Sequence, residues 1–209
     1  IWAMMHKLRR VLNERDNSYQ LEGEIELDEG FYSTSFSFDI NEFTEKKESL
    51  KRGKGSQKKS KVLVMASFTK VPLSKFNPKK HKTPRKLKYL KMKVVDDLES
   101  STINSEVKKT INKDSFVHTD AYRSYNKLPE IIKRHTKYNL QHDNSNKVLP
   151  WVHKVITNSK NLLKAIHHCI NPQYLQNYLD EFCYKHNRRY FKNRVFDRAL
   201  IAAVSLTWF

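Results

Sequence analysis

Four residues stand out for the chemistry their side chains can perform: Asp28 in "ELDEGFY", Asp120 in "FVHTDAYRSY", and His153 with Lys160 in "LPWVHKVITNSKNLL". Carboxylates and imidazoles bind divalent cations, and two such ions about 4 Å apart clamp a phosphodiester, one activating the attacking oxygen and the other stabilising the leaving oxygen. Mg²⁺ takes carboxylate and water ligands, while Mn²⁺ accepts imidazole more readily. Lys160 follows His153 by seven residues, which on a helix is about 20° off the same face and about 10 Å along the axis. A lysine there suits the next phosphate of a strand whose scissile phosphate is held at the metal. Spacing alone leaves ordinary readings open. A strand aspartate is often solvated, and a histidine beside Trp151 is often a packed, hydrogen-bonded residue.

Convergence of these residues depends on the elements that carry them. Leu21, Gly23, Ile25 and Leu27 alternate with Glu22, Glu24, Glu26 and Asp28, so one face of a strand is apolar and the other acidic. "FYSTSFSFDI" (31–40) alternates again and predicts a second strand antiparallel to the first, with a bend, bulge or turn at Gly30. "KVLVMASF" (61–68) reads as a strand buried on both faces, and "LKYLKMKVVDDL" (87–98) as another. A short helix over 105–112, a strand over 114–120, a helix or turn over 122–128 and a strand over 135–140 follow. Pro150 and Pro172 each occupy a good first-turn position for a helix. The order predicts a mixed α/β layer whose antiparallel strands come first.

Composition bounds the partners. The 209 residues, 38% of them hydrophobic, suffice for one ordinary core. A formal charge of +18 suits a polyanion, nucleic acid before a membrane surface. No apolar run approaches the roughly 20 residues that cross a bilayer; the longest, "LIAAVSL", is of core length. Two charged stretches, 46–61 and 75–93, are expected to be basic loops that neutralise phosphates in a salt-sensitive, largely sequence-blind way. Their candidate DNA contacts are Lys51, Arg52, Lys54, Lys58, Lys59, Lys79, Lys80 and Arg85. Phe31 and Tyr32 have two uses, stacking on bases or core packing, of which packing is favoured. Cys169 and Cys183 form no C-x-x-C pair and are expected to be buried thiols of a reducing compartment. The opening "IWAMMHKLRR" has neither an initiator methionine nor a signal-peptide pattern and reads as the start of a fragment.

Four stretches, "LEGEIELDEGFY", "FVHTDAYRSYNKL", "LPWVHKVITNSKNLL" and "INPQYLQNYLDEFCYKHNRR", occur in an order that resembles bacterial insertion-sequence transposases of the DDE superfamily, in the branch called ISXO-two-like. The resemblance runs from about residue 5 to residue 204. It implies an RNase H-like catalytic domain over 19–209, preceded by an entry helix over 1–18 left from an N-terminal DNA-binding region. By the same resemblance the catalytic carboxylates fall on Asp28 and Asp120. The third catalytic position falls on His153, because part of this branch carries His or Asn where most relatives carry Glu, and Lys160 matches the lysine that follows it. Implied with these are Mg²⁺ or Mn²⁺, two ions; DNA, both transposon ends and target; a homo-oligomer assembled on DNA; and a bacterial cytoplasm, at the nucleoid. The implied reaction is hydrolysis exposing a 3′-hydroxyl, then attack of that hydroxyl on target DNA.

Departures from the branch define an alternative. The zinc ribbon common upstream has no C-x-x-C counterpart here, and "GFYSTSF" and "LLKAIHH" replace glycine-containing wording. A catalytically decayed DNA-binding remnant would fit those features. Tyr178, Phe182 and Tyr184 are expected to pack, and Arg188 and Arg189 either to cap the helix or to meet DNA, with packing the favoured reading of the stretch. Two further rivals are weaker. A tyrosine-nucleophile nuclease would use Tyr174 with His167 and His168, which on a strand point oppositely. A zinc site of His135, His142, His153 and His167 lacks cysteine and close spacing.

Overall fold

The alternating segment forms a strand that runs further than its pattern suggested. In the computed structural model, which describes residues 1–34, 59–75, 84–139, 148–167 and 170–205, β1 spans Glu24–Ser33 without a break. Gly30 therefore lies inside β1, and no separate strand begins at residue 31; residues 35–40 fall outside the described residues. β2 (Lys59–Lys70), β3 (Arg85–Val95), β4 (Phe116–Asp120) and β5 (Arg134–Tyr138) complete a sheet of order β3-β2-β1-β4-β5. β2 runs antiparallel to both of its neighbours, β1 and β3, while β4 and β5 run parallel to β1. The first three strands are antiparallel as predicted, with β3 completing the set in place of the segment at 31–40. Two boundaries of the expected basic loops move accordingly: Lys59 belongs to β2 and Arg85 to β3.

Helices α1 (Trp2–Asn17), α2 (Ser100–Thr110), α3 (Pro150–Ile166), α4 (Pro172–Asn187) and α5 (Val195–Ser205) flank this sheet in a mixed α/β architecture. β2 is buried on both faces, as its unbroken apolar run implied. Val62, Val64 and Ala66 join Val152 and Val155 of α3 and Leu175 and Leu179 of α4. Leu63 and Met65 join Ile103 and Val107 of α2 on the other face, with Ile25 and Leu27 of β1. Each buried Val, Leu, Ile or Met among them contributes about 1.5–3 kcal/mol.

An open strand edge invites pairing with another chain, and α4 satisfies the edge of β3 with two side-chain amides. Asn187 accepts from the Leu90 N–H and donates to the Leu90 carbonyl, both at 2.9 Å. Gln176 accepts from the Val94 N–H at 2.7 Å and donates to the Met92 carbonyl at 3.0 Å. α1 is fastened to α4 by Arg9–Glu181 at 2.7 Å and Arg188–Asp16 at 2.5 Å. Arg189 donates to the Leu87, Lys88 and His186 carbonyls, so both arginines of "HNRR" are tied into the fold. Tyr184 and Cys183 are buried, and Tyr178 and Phe182 pack against the α3–α4 core; Cys169 lies outside the described residues.

"LIAAVSL" is not a core segment. Ala202 and Ala203 of α5 pack on Val11 and Leu8 of α1, whereas Leu200, Ile201 and Val204 are exposed. Among the described residues no helix is long and apolar enough to cross a membrane.

Candidate active site

β1 and β4 pair only through Glu24↔Phe116, Ile25↔Val117 and Glu26↔His118, whereas β4 stays paired with β5 as far as Asp120↔Tyr138. The two strands therefore part after Glu26, opening a gap at their carboxyl ends, where open α/β sheets gather ligand groups. Asp28, Glu29 and Asp120 line this gap, each offering a carboxylate oxygen, all within 4.8 Å of one another. Local bonds aim them. Asp28 accepts from the Glu29 N–H at 2.8 Å, and Asp120 accepts from the Tyr122 N–H at 3.1 Å at the turn after β4. The fully buried Tyr125 donates its hydroxyl to Glu29 at 2.8 Å. Burial first, and the Glu29 charge second, push that phenol well above its ordinary pKa.

α3 lies along β1 in the same direction, so alternate residues of the strand meet successive turns of the helix. Glu26 accepts from the Trp151 and Val152 N–H groups at 2.7 and 2.9 Å. The His153 Nε2 lies 3.1 Å from Asp28 Oδ2. A Cβ on Gly30 would stand 3.5 Å from Ile156 Cγ1. Tyr32 shares a 2.6 Å hydrogen bond with Ser159, and the Lys160 ammonium sits 5.3 Å above the Tyr32 ring. Tyr32 is four residues beyond Asp28, about 13 Å along the strand, and at 3% exposure it is a packing residue rather than a base-stacking one.

Electrostatics follow from this arrangement. The hydrogen bond to Asp28 holds the His153 imidazole above its ordinary pKa, against the opposing effect of burial. Burial pushes Glu26 up to about 7 although two backbone N–H groups pull it down. Burial, and then the neighbouring Lys59, lower Lys160. Lys59 and Lys160 thus share one basic end of the site. Arg85, its guanidinium 5.3 Å over the Phe68 ring, stands at the opposite end of β1 and acts electrostatically on Glu26.

Asp28 and Asp120 come together, and His153 reaches them through Asp28 rather than as part of the three-way group. Glu29 holds that third place. Alternation assigned Glu29 to the apolar face, because neighbouring strand residues point oppositely, and its Tyr125 partner is 96 residues away. Glu26 was missed for a related reason, although a signal existed. "LPWVH" starts a helix with no capping side chain and no acidic residue in its first turn, so its N–H groups needed an acceptor from elsewhere. Lys51, Arg52, Lys54, Lys58, Lys79 and Lys80 lie outside the described residues.

The rival sites do not assemble among the described residues. Tyr174 packs on Trp2 and His6, and His167 on Tyr178 at 4.4 Å. His135 bonds Thr119 at 2.8 Å and is pushed down to about 4 by burial; His142 and His168 lie outside the described residues. A cavity of about 770 Å³ lined by Arg15, Tyr19, Tyr89, Phe191 and Arg198 contains none of the candidate catalytic residues.

Comparison with protein families matches residues 20–187 to the ISXO2-like transposase domain. Comparison with curated proteins gave no significant match. Two solved structures are similar: the pre-cleavage Mos1 transpososome, at 9% identity and a TM-score of 0.42, and the Mos1 mariner paired end complex with Mn, at 11% and 0.41. Both alignments cover 96% of this chain, which spans 62% of the length of each of those chains.

Proposed function

The chain belongs to the ISXO2-like transposase domain family, and from that premise we propose that it catalyses metal-dependent DNA strand cleavage at an insertion-sequence end, followed by strand transfer. The observation that carries this reading is the meeting of Asp28, Glu29 and Asp120 oxygens within 4.8 Å, with the His153 ring on Asp28.

The donor set suits a hard divalent cation. Ligand oxygens about 2.1 Å from a common ion lie within about 4.2 Å of one another, so small side-chain adjustments bring these carboxylates to that spacing. Asp28 and Asp120 would hold Mg²⁺ or Mn²⁺, and His153, as the neutral ring, would add a nitrogen more congenial to Mn²⁺. Bound there, an ion pair would activate the attacking oxygen and stabilise the leaving one. Asp28 orients His153, Tyr125 orients Glu29, and Lys160 with Lys59 offers positive charge to the neighbouring phosphate. The whole assembly acts on DNA in the bacterial cytoplasm, as an oligomer formed on the transposon ends.

Cleavage of a labelled duplex bearing the element's own terminal sequence, with Mn²⁺, tests the proposal. Asp28→Asn and Asp120→Asn are expected to lower cleavage by about 10²–10³-fold or more without weakening DNA affinity in EDTA. DNA binding without nicking, indifferent to Asp28→Asn, would instead establish the decayed DNA-binding remnant.

A further inference from the structure

We infer that Glu26 is a positioning residue of this site: from β1 it fixes the first turn of α3 so that the His153 ring meets the Asp28 carboxylate. The inference rests on the proposed roles of Asp28 and His153.

A helix starts with N–H groups that have no partner inside it. In α3 the residue before the first turn is Leu149, which offers no side-chain acceptor, and Pro150 has no N–H to satisfy. The next two donors, Trp151 and Val152, both go to one oxygen of Glu26, at 2.7 and 2.9 Å. His153 is the very next residue, so nothing intervenes between the tether and the ring it places. On the strand side, Glu26 and Asp28 are two residues apart on the same face, about 7 Å. Both ends of the His153–Asp28 contact are thereby referred to one carboxylate.

A serine or aspartate in place of Leu149 would satisfy the same N–H groups locally, yet it would not tie the first turn of the helix to β1. Glu26 does what a local cap cannot, since its own backbone belongs to the strand that carries Asp28. The arrangement also has a cost that a cap serving stability alone would avoid. Glu26 is 1% exposed, and its second oxygen is buried with no hydrogen-bond partner among the described residues.

The test uses the full chain and two measurements: Mn²⁺ affinity by electron paramagnetic resonance without DNA, and Mn²⁺-dependent cleavage of the terminal duplex. Glu26→Leu removes the acceptor, Glu26→Asp shortens its reach by one methylene, and Glu26→Gln keeps an acceptor oxygen at full reach. Leu and Asp are expected to weaken both Mn²⁺ binding and cleavage by about 10–100-fold, the usual loss when a group orienting a metal ligand is removed, with Gln restoring most of each. A structural cap would lower the melting temperature without moving the Mn²⁺ affinity of the folded fraction. Should Glu26→Leu fail to fold, Glu26→Asp carries the test. Wild-type Mn²⁺ affinity in a folded Glu26→Asp or Glu26→Leu chain overturns the inference. If Asp28→Asn abolishes binding and cleavage while the Glu26 variants are silent, only the tether falls. If wild-type protein binds no Mn²⁺, or Asp28→Asn changes neither readout, the nuclease reading falls and takes the tether with it.

Discussion

Gly30→Ala tests whether the close approach of α3 to β1 is what holds the site together. The added methyl would stand 2.9 Å from Tyr32 Cε2, with Ile156 Cγ1 at 3.5 Å behind it. Carbon contacts become favourable only from about 3.5 Å, so the Tyr32 ring must retreat by roughly 0.6 Å. It has little freedom to do so, being buried, hydrogen-bonded to Ser159 and covered by Lys160. Overpacking of this kind costs about 1–3 kcal/mol, and replacing a strand glycine returns about 0.5–1 kcal/mol. The net loss of up to about 2.5 kcal/mol corresponds to a fall in melting temperature of up to roughly 10 °C for a chain of this size. Cleavage should fall further than stability, because Ile156 and Ser159 lie on α3 between His153 and Lys160, and displacements approaching 1 Å at a catalytic site can cost about 10²-fold. Thermal denaturation in two backgrounds isolates the cause. With Tyr32→Leu already present, Gly30→Ala should cost nothing or stabilise. An equal penalty with and without the Tyr32 ring, or a Gly30→Ala chain more stable than wild type, would refute the reasoning.

Two further outcomes are expected. Burial raises Asp180 from 3.8 to about 7, so the folded state binds its proton more tightly than the unfolded chain does. The stability this confers is full below pH 3.8 and is lost as pH rises through about 7. Asp180→Asn, which retains the Oδ1 that accepts from Gln176, should therefore gain stability relative to wild type as pH rises from 4 to 8, by at most about 4 kcal/mol; a pH-independent difference in denaturant midpoints would contradict this. Lys160→Ala should reduce the slope of log affinity against log salt for duplex DNA by about one, a change read by anisotropy titrations at several salt concentrations. An unchanged slope would remove Lys160 from the phosphate track.

The strand that carries Asp28 was legible because its alternation is a local property. Helices α3 and α4 were legible from prolines at their first turns and apolar spacing thereafter. The reading failed where one residue serves two elements. Gly30 looks like a chain breaker in isolation, yet it marks the approach of a helix that lies 126 positions further on at Ile156. Glu29 sits at a position that alternation assigns to an apolar face, and the buried Tyr125 hydroxyl donates to its carboxylate there. "LIAAVSL" has core composition, but among its described residues only the two alanines are buried, because α5 meets a narrow strip of α1. Periodicity reports which side of an element is apolar; the identity of what covers that side is a tertiary fact.

The division of charge gives the site its logic. A chain of formal charge +18 attracts a polyanion over much of its surface, yet the gap between β1 and β4 is lined by carboxylates. A phosphate about 5 Å from one carboxylate is repelled by roughly 3 kcal/mol at an effective dielectric of 20, and here three carboxylates gather. Approach of a scissile phosphate is therefore unfavourable until divalent charge neutralises the gap, whereas phosphates beside Lys59 and Lys160 need no such help. On the proposed reading, the carboxylates of the gap serve metal binding and the lysines serve phosphate binding. Substitution of a carboxylate in the gap should relieve repulsion of the backbone even as it removes cleavage, whereas substitution of Lys59 or Lys160 should weaken DNA affinity.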